Sequence, residues 1–366
     1  MSQSFPVLLS PYQLGDIQLS NRVVMSPMTR SRAIGNVPNE LMAAYYGSRA
    51  TAGLIISEGI SPSPNGLGYA RIPGLYSEAQ VAGWKKVTAA VHKNGGKIFA
   101  QLMHTGRIAH PLNLPEGAEV VGASPIVAAN SPMYTDQQGM QPLPAPKEIT
   151  DVQALIAEFV HSSKSAIEAG FDGIELHSAN GYLLEQFLNP ASNQRTDAYG
   201  GSPENRNRLV LEVAAAVAAA IGKGKTGIRI SPFGVFNEMI SDEHTEQQYT
   251  QLAAGLKAIG IAYIHVVDHA SLGAPAVPQS VKDAIRVAFG STIILSGGYD
   301  AARAEADLEE GKGELVAFGR PYLANPDLVY RITKGAELAQ PDMSLAYTPG
   351  EKGYTDYPTL LELQPA

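Results

Sequence analysis

Eight short apolar runs recur along this chain, each followed by a longer segment of helical periodicity, and that alternation narrows the fold more than any other feature. The runs are RVVMSPM (22–28), LIISEGI (54–60), KIFAQLMH (97–104), GIELHS (173–178), GIRISP (227–232), YIHVVD (263–268), TIILSGG (292–298) and LVAFGR (315–320). Most are continuous rather than alternating, the pattern of parallel strands buried on both faces. The segments between them include 77–95, 150–170 and 245–260, with Thr150 and Asp151 offering N-cap oxygens and Gly170 and Gly260 just past helix ends. Eight βα units are the count of a (β/α)8 TIM barrel, an α/β fold that reaches 366 residues as one domain. The opening LLSPYQLGDIQLSN reads as an N-terminal hairpin cap. Residues 105–147, rich in Pro, Gly and Asn, form a long insertion after strand three, expected to be a lid or subdomain, and 337–366 a C-terminal tail over the barrel. A doubly wound dinucleotide-binding sheet is the rival, but the one G-x-G-x-x-G match, GKGKTG (222–227), leaves a helix and enters a strand, the reverse of the required order.

Composition removes several function classes. A net charge of −8 and a pI near 5.5 disfavour nucleic acid as a partner. With no cysteine, disulfides, thiolate nucleophiles and Cys-ligated metal or iron–sulfur centres are excluded. The N-terminal MSQSFPVLLSPYQLGD lacks a basic segment and its apolar run is broken by proline, while the most apolar window, 209–222, contains Glu212 and is too short for a bilayer. A cytoplasmic protein with no membrane partner is expected.

In a TIM barrel the C-terminal strand ends form the active face, so the chemistry is sought there. Strands seven and eight end in Gly297-Gly298 and Gly319-Arg320. Glycine lets backbone N–H groups approach closely and arginine adds a bidentate cation, so this pair of exits points to a ligand with a phosphate. Arg229 sits in an apolar strand, which requires either a buried ion pair with Glu175 or Asp172 or an anionic part of a ligand. Strand four runs into HSANGYLLEQFLNP (177–190), where His177, Asn180 and Tyr182 crowd one exit. Two neutral donors can hold an oxygen that becomes negative, and a phenol beside them can supply a proton. His265, Asp268 and His269 in HVVDH resemble metal ligands in type, but 265 and 268 face opposite sides of a strand, so packed histidines are expected instead.

These residues resemble the Old Yellow Enzyme family of FMN-dependent ene-reductases, most of all its bacterial N-ethylmaleimide, xenobiotic and morphinone reductase branch. The likeness runs nearly end to end through NRVVMSPMTRSRA, AGLIISEG, FAQLMHTGR, the long block 170–208, LSGG and VAFGRPYLANPDL. It implies tightly bound, non-covalent FMN, with Pro27, Thr29 and Gly59 on the isoalloxazine, Gln101 at its pyrimidine edge and Arg229 stabilising the anionic reduced ring. Gly297, Gly298, Gly319 and Arg320 would hold the phosphate. His177 and Asn180 would bind the oxygen of an activated alkene, hydride would pass from the flavin to the β-carbon, and Tyr182 would protonate the α-carbon. Tyr354 would line the pocket mouth with Tyr69 beside it. Met103 departs from the tryptophan of many relatives, which leaves substrate orientation open. The implied activity is NAD(P)H-dependent reduction of α,β-unsaturated carbonyls, maleimides and nitroalkenes by a ping-pong mechanism, with nitro compounds and nitrate esters as further acceptors. Two rivals stay open at this point. One is a phosphosugar aldolase-type barrel, whose catalytic lysine would have to be Lys97 at the wrong end of strand three. The other is a flavin-binding protein without turnover, for which Tyr182 would be needless.

Overall fold

A computed structural model describes residues 4–363. Eight parallel strands close into a barrel: β1 Val23–Met25, β2 Leu54–Ile60, β3 Ile98–Leu102, β4 Gly173–Ser178, β5 Thr226–Ile230, β6 Tyr263–Val267, β7 Thr292–Ser296 and β8 Leu315–Phe318. Each pairs with its neighbours in sequence, and β8 pairs with β1. Every strand residue is buried, which explains why the runs read as continuous rather than alternating.

Local chemistry places the intervening helices. Ser77 and Gln80 form a reciprocal capping box at the start of Glu78–Lys93. Asp151 caps Val152–Glu168, and Ser202 followed by Pro203 starts Pro203–Ile221. Gly260 ends Thr245–Ile259 in the left-handed conformation at φ 84°, which a Cβ would disfavour.

The expected hairpin cap is present: Tyr12–Leu14 pairs antiparallel with Ile17–Leu19. Its Leu14 and Leu19 join Val24, Leu54, Ile56, Phe99, Tyr263, Ile294 and Leu315 in one apolar cluster that fills the barrel from below. Alternate strand residues (Val23, Ile55, Ile98, Ile174, Ile228, Ile264, Ile293 and Val316) pack outward on the helices. Above the apolar plug the inward positions turn polar. Gln101 pairs in register with Glu175, His177 with Arg229, and Arg229 with His265. The fold therefore presents a dry floor and a polar layer directly beneath the strand exits.

The 105–147 insertion is built rather than formless. Met133–Thr135 and Gly139–Gln141 make a hairpin, and Val121–Gly122 pairs with Lys147–Glu148. Ile108, Ala128, Met133 and Leu143 form its small core, against which Tyr69 and Tyr182 pack. The tail returns over β1. Arg30 donates to the carbonyls of Ala346 and Gly353, and Arg32 to those of Leu345, Ala346, Gly350 and Lys352.

Candidate active site

A cavity of about 450 Å3 opens at the C-terminal face of the barrel. Pro27, Thr29, Gly59, Gln101, Met103, His177, Asn180, Tyr182, Arg229, Gly297, Gly298, Gly319 and Arg320 all line it. Thirteen of the fifteen expected residues thus share one cavity, although they come from seven strand exits.

At the β4 exit, backbone geometry and hydrogen bonds set the side chains. Asn180 and Gly181 are consecutive left-handed residues, at φ 61° and 75°, a conformation that Asn tolerates and Gly favours. The Asn180 N–H donates to Ser231 Oγ at 2.9 Å, its carbonyl accepts from Asn237 Nδ2 at 2.7 Å, and the Gly181 N–H donates to Glu185 Oε2 at 2.6 Å. Ser231 Oγ and Tyr249 Oη donate to Glu185 Oε1, so one buried carboxyl organises the turn. His177 is buried, and its ring lies edge-on to Tyr182 at 5.0 Å. Its Nδ1 has no hydrogen-bond partner among the described residues. Burial, then the positive charge of Arg229, holds the imidazole well below its ordinary pKa, so it is neutral. Burial and the neighbouring Tyr69 push Tyr182 well above the ordinary phenol value, so it keeps its proton.

Arg229 is buried, and among the described residues it makes no ion pair and its Nε has no partner. The ion pair considered from sequence is not formed. Glu175 instead accepts from Gln101 Nε2 at 2.8 Å, Tyr263 Oη at 3.1 Å and His265 Nδ1 at 2.9 Å. Asp172 is occupied at the opposite end of the strands by His92, Lys97 and the Ile98 N–H. A buried cation with an orphan donor calls for an anionic partner from outside the chain.

At the far side of the cavity a Cβ on Gly297 would lie 2.4 Å from the Asp268 carbonyl, and one on Gly298 2.5 Å from Ser271 Cβ. Both glycines have positive φ, 146° and 66°. Arg320 is exposed at the cavity edge with no hydrogen bond or ion pair among the described residues. This end suits a phosphate held by close backbone and a free guanidinium.

Two expectations need revision. Tyr354 does not line the mouth: it is fully buried, stacked on Tyr45 at 4.0 Å, with Arg30 and Arg32 over its ring. The arginines that bind the tail carbonyls draw this tyrosine inward, and Tyr347, seven residues earlier and exposed, lines the cavity in its place. Tyr69 reaches the cavity only through Tyr182, hydroxyl to hydroxyl. His269, which the sequence suggested was a packed histidine rather than a metal ligand, instead lines the cavity from the β6 exit, because it lies past the end of the strand.

Known proteins share this arrangement of elements. The model of the NADH:flavin oxidoreductase / NADH oxidase family matches residues 7–339. The chain is 39% identical over 362 residues to 12-oxophytodienoate reductase 1 of Oryza sativa subsp. japonica, covering 97% of this chain and 94% of that protein. It is also 39% identical over 363 residues to a probable flavin mononucleotide-dependent alkene reductase of Leishmania infantum, covering 98% of each. The solved structure of morphinone reductase in complex with tetrahydroNAD superposes with a TM-score of 0.92 at 42% identity, over 97% of this chain and 98% of that one.

Proposed function

The chain belongs to the NADH:flavin oxidoreductase / NADH oxidase family, and on that premise we propose that it reduces the C=C bond of activated alkenes with FMN as its resident cofactor and a nicotinamide as reductant. The acceptor classes are α,β-unsaturated carbonyls, maleimides and nitroalkenes, with nitro compounds and nitrate esters behind them. One observation carries the reading. Neutral donors, a phenol and a buried unpaired cation converge at one end of a cavity whose other end is a glycine cradle with a free arginine.

The residues present fit FMN. The orphan Nε of Arg229 matches an electron-rich ring edge, the Gly297–Gly298 and Gly319–Arg320 exits match a phosphate, and Pro27, Thr29, Gly59 and Gln101 offer wall and edge contacts between them. When bound, FMN supplies a two-electron carrier that accepts hydride from a nicotinamide and delivers it to an alkene. His177 and Asn180 donate to the acceptor's carbonyl or nitro oxygen and stabilise the charge that grows there. Tyr182, kept neutral by burial, hands its proton to the α-carbon. The lid core around Ile108 and Met133 packs against Tyr182 and backs its ring. Nicotinamide and alkene occupy the same cavity in turn, which is the ping-pong order.

The aldolase alternative is not favoured: Lys97 lies at the opposite end of the barrel, held by Asp172 at 3.3 Å. Flavin binding without turnover would leave the Tyr182 phenol without a task. No helix among the described residues is long and apolar enough to cross a membrane. The absence of cysteine and the acidic charge support a cytoplasmic setting without nucleic acid partners. Purified protein should be yellow, lose its colour with NADH or NADPH under anaerobic conditions, and regain it on addition of an enone. Colourless protein that fails to take up added FMN overturns the reading.

A further inference from the structure

The HVVDH segment contains a histidine with no role in the scheme above. His265 is committed to Glu175 inside the barrel. His269, four residues on, leaves the end of β6 and places its Nε2 2.7 Å from Asn180 Oδ1. We propose that His269 is a positioning residue, which donates its Nε2–H to Asn180 Oδ1 and so turns the Asn180 NH2 group toward the substrate oxygen. This rests on the assignment of His177 and Asn180 as the oxygen site.

An asparagine amide is nearly symmetric in shape, and its two ends have opposite hydrogen-bonding character. With NH2 toward the cavity it stabilises a developing negative oxygen; with Oδ1 there it repels one. The backbone of Asn180 is held independently, at N by Ser231, at C=O by Asn237 and at φ 61° by the turn. Only the side-chain torsions remain free, and His269 is the described group that hydrogen-bonds the amide. Its ring packs edge to face with Phe236, 4.6 Å between centroids. Burial, followed by Arg229, lowers its pKa to about 4, so a single N–H serves Asn180 at neutral pH. The other tautomer would accept at Nε2 and stabilise the reversed amide.

The test uses FMN-loaded protein and phenol as the probe, read by the long-wavelength charge-transfer band and its dissociation constant. His269→Phe keeps a ring but cannot donate, whereas His269→Gln places an amide N–H at a similar reach. His269→Phe should weaken phenol binding roughly 3- to 10-fold, the scale of one lost hydrogen bond, and His269→Gln should stay within about 2-fold of wild type. In an Asn180→Ala background both changes should vanish, because the group they orient is gone. Unaltered binding in His269→Phe overturns the proposal, as does a Gln variant as weak as the Phe variant. An equal loss with and without Asn180 also overturns it, showing that His269 acts on the ligand directly. If wild-type holoprotein binds no phenol at all, the oxygen-site assignment falls first and this inference with it.

Discussion

The hydroxyls of Tyr182 and Tyr69 lie 2.9 Å apart, with their rings edge to face at 6.1 Å and 86°. Tyr69 is thus a partner that can orient the Tyr182 O–H and replace the proton it gives up. Tyr182→Phe should leave flavin reduction by nicotinamide within a few-fold, because that step needs no acid on the alkene side. Enone reduction should fall by about 10²–10⁴-fold, the usual contribution of a positioned acid. Nitroalkenes should be partly spared, since their nitronate can leave and take a proton from water. Stopped-flow measurement of each half-reaction, with FMN content matched, checks this; undiminished enone reduction removes Tyr182 as the donor. Tyr69→Phe should show a milder loss confined to the same half-reaction.

The phosphate end can be probed without turnover. Arg320 lines the cavity at its exposed edge, so Arg320→Ala should raise the FMN dissociation constant by roughly tenfold, a screened charge-assisted contact. Fluorescence titration of deflavinated protein measures it. Gly298→Ala should be more damaging, because its Cβ would meet Ser271 Cβ at 2.5 Å from a backbone at φ 66°.

Met103 is buried against Leu67, Ile72 and Tyr182, with its sulfur 2.5 Å from where a Cβ on Gly59 would stand. Met103→Trp inserts volume into this contact and should cost about 1–3 kcal/mol of stability, seen by urea unfolding. It should also change the enantiomeric ratio of products from bulky enones. Identical ratios across several substrates would show that Met103 does not orient them.

Glu58 supplies a pH test. It is fully buried beside Gly59 and accepts from Tyr46 Oη, and its second oxygen has no partner among the described residues. Burial, opposed by Arg30, raises its pKa to about 7. A carboxyl raised on folding binds its proton more tightly in the native state, so its contribution is complete below the unfolded value and is lost as pH rises through about 7. The stability of Glu58→Gln relative to wild type should therefore increase by about 1–3 kcal/mol between pH 5 and pH 8. Denaturant melts across that range check the sign; a flat difference would mean that Glu58 is ionised throughout.

The barrel was legible because its signals are local. A strand buried on both faces needs an unbroken apolar run, and a helix end needs a cap within a few residues, so GIELHS, Asp151 and Gly260 could be read where they stand. Once eight such units are counted, barrel closure brings the strand exits to one face, and His177, Asn180, Tyr182 and Arg229 meet there without further information. What remained hidden depends on partners far apart in the chain. Arg229 alone is compatible with an ion pair or an open cation, and only the packing of Gln101, Tyr263 and His265 around Glu175 decides between them. Tyr354 and Tyr347 look alike in the tail, but hydrogen bonds from Arg30 and Arg32, more than 300 residues away, bury one and leave the other at the cavity. The contact of His269 with Asn180 spans 89 residues and two strand exits. Period and capping chemistry act over a few residues and set the elements; the direction of a side chain within a shared cavity is set by atoms that meet only when the barrel closes.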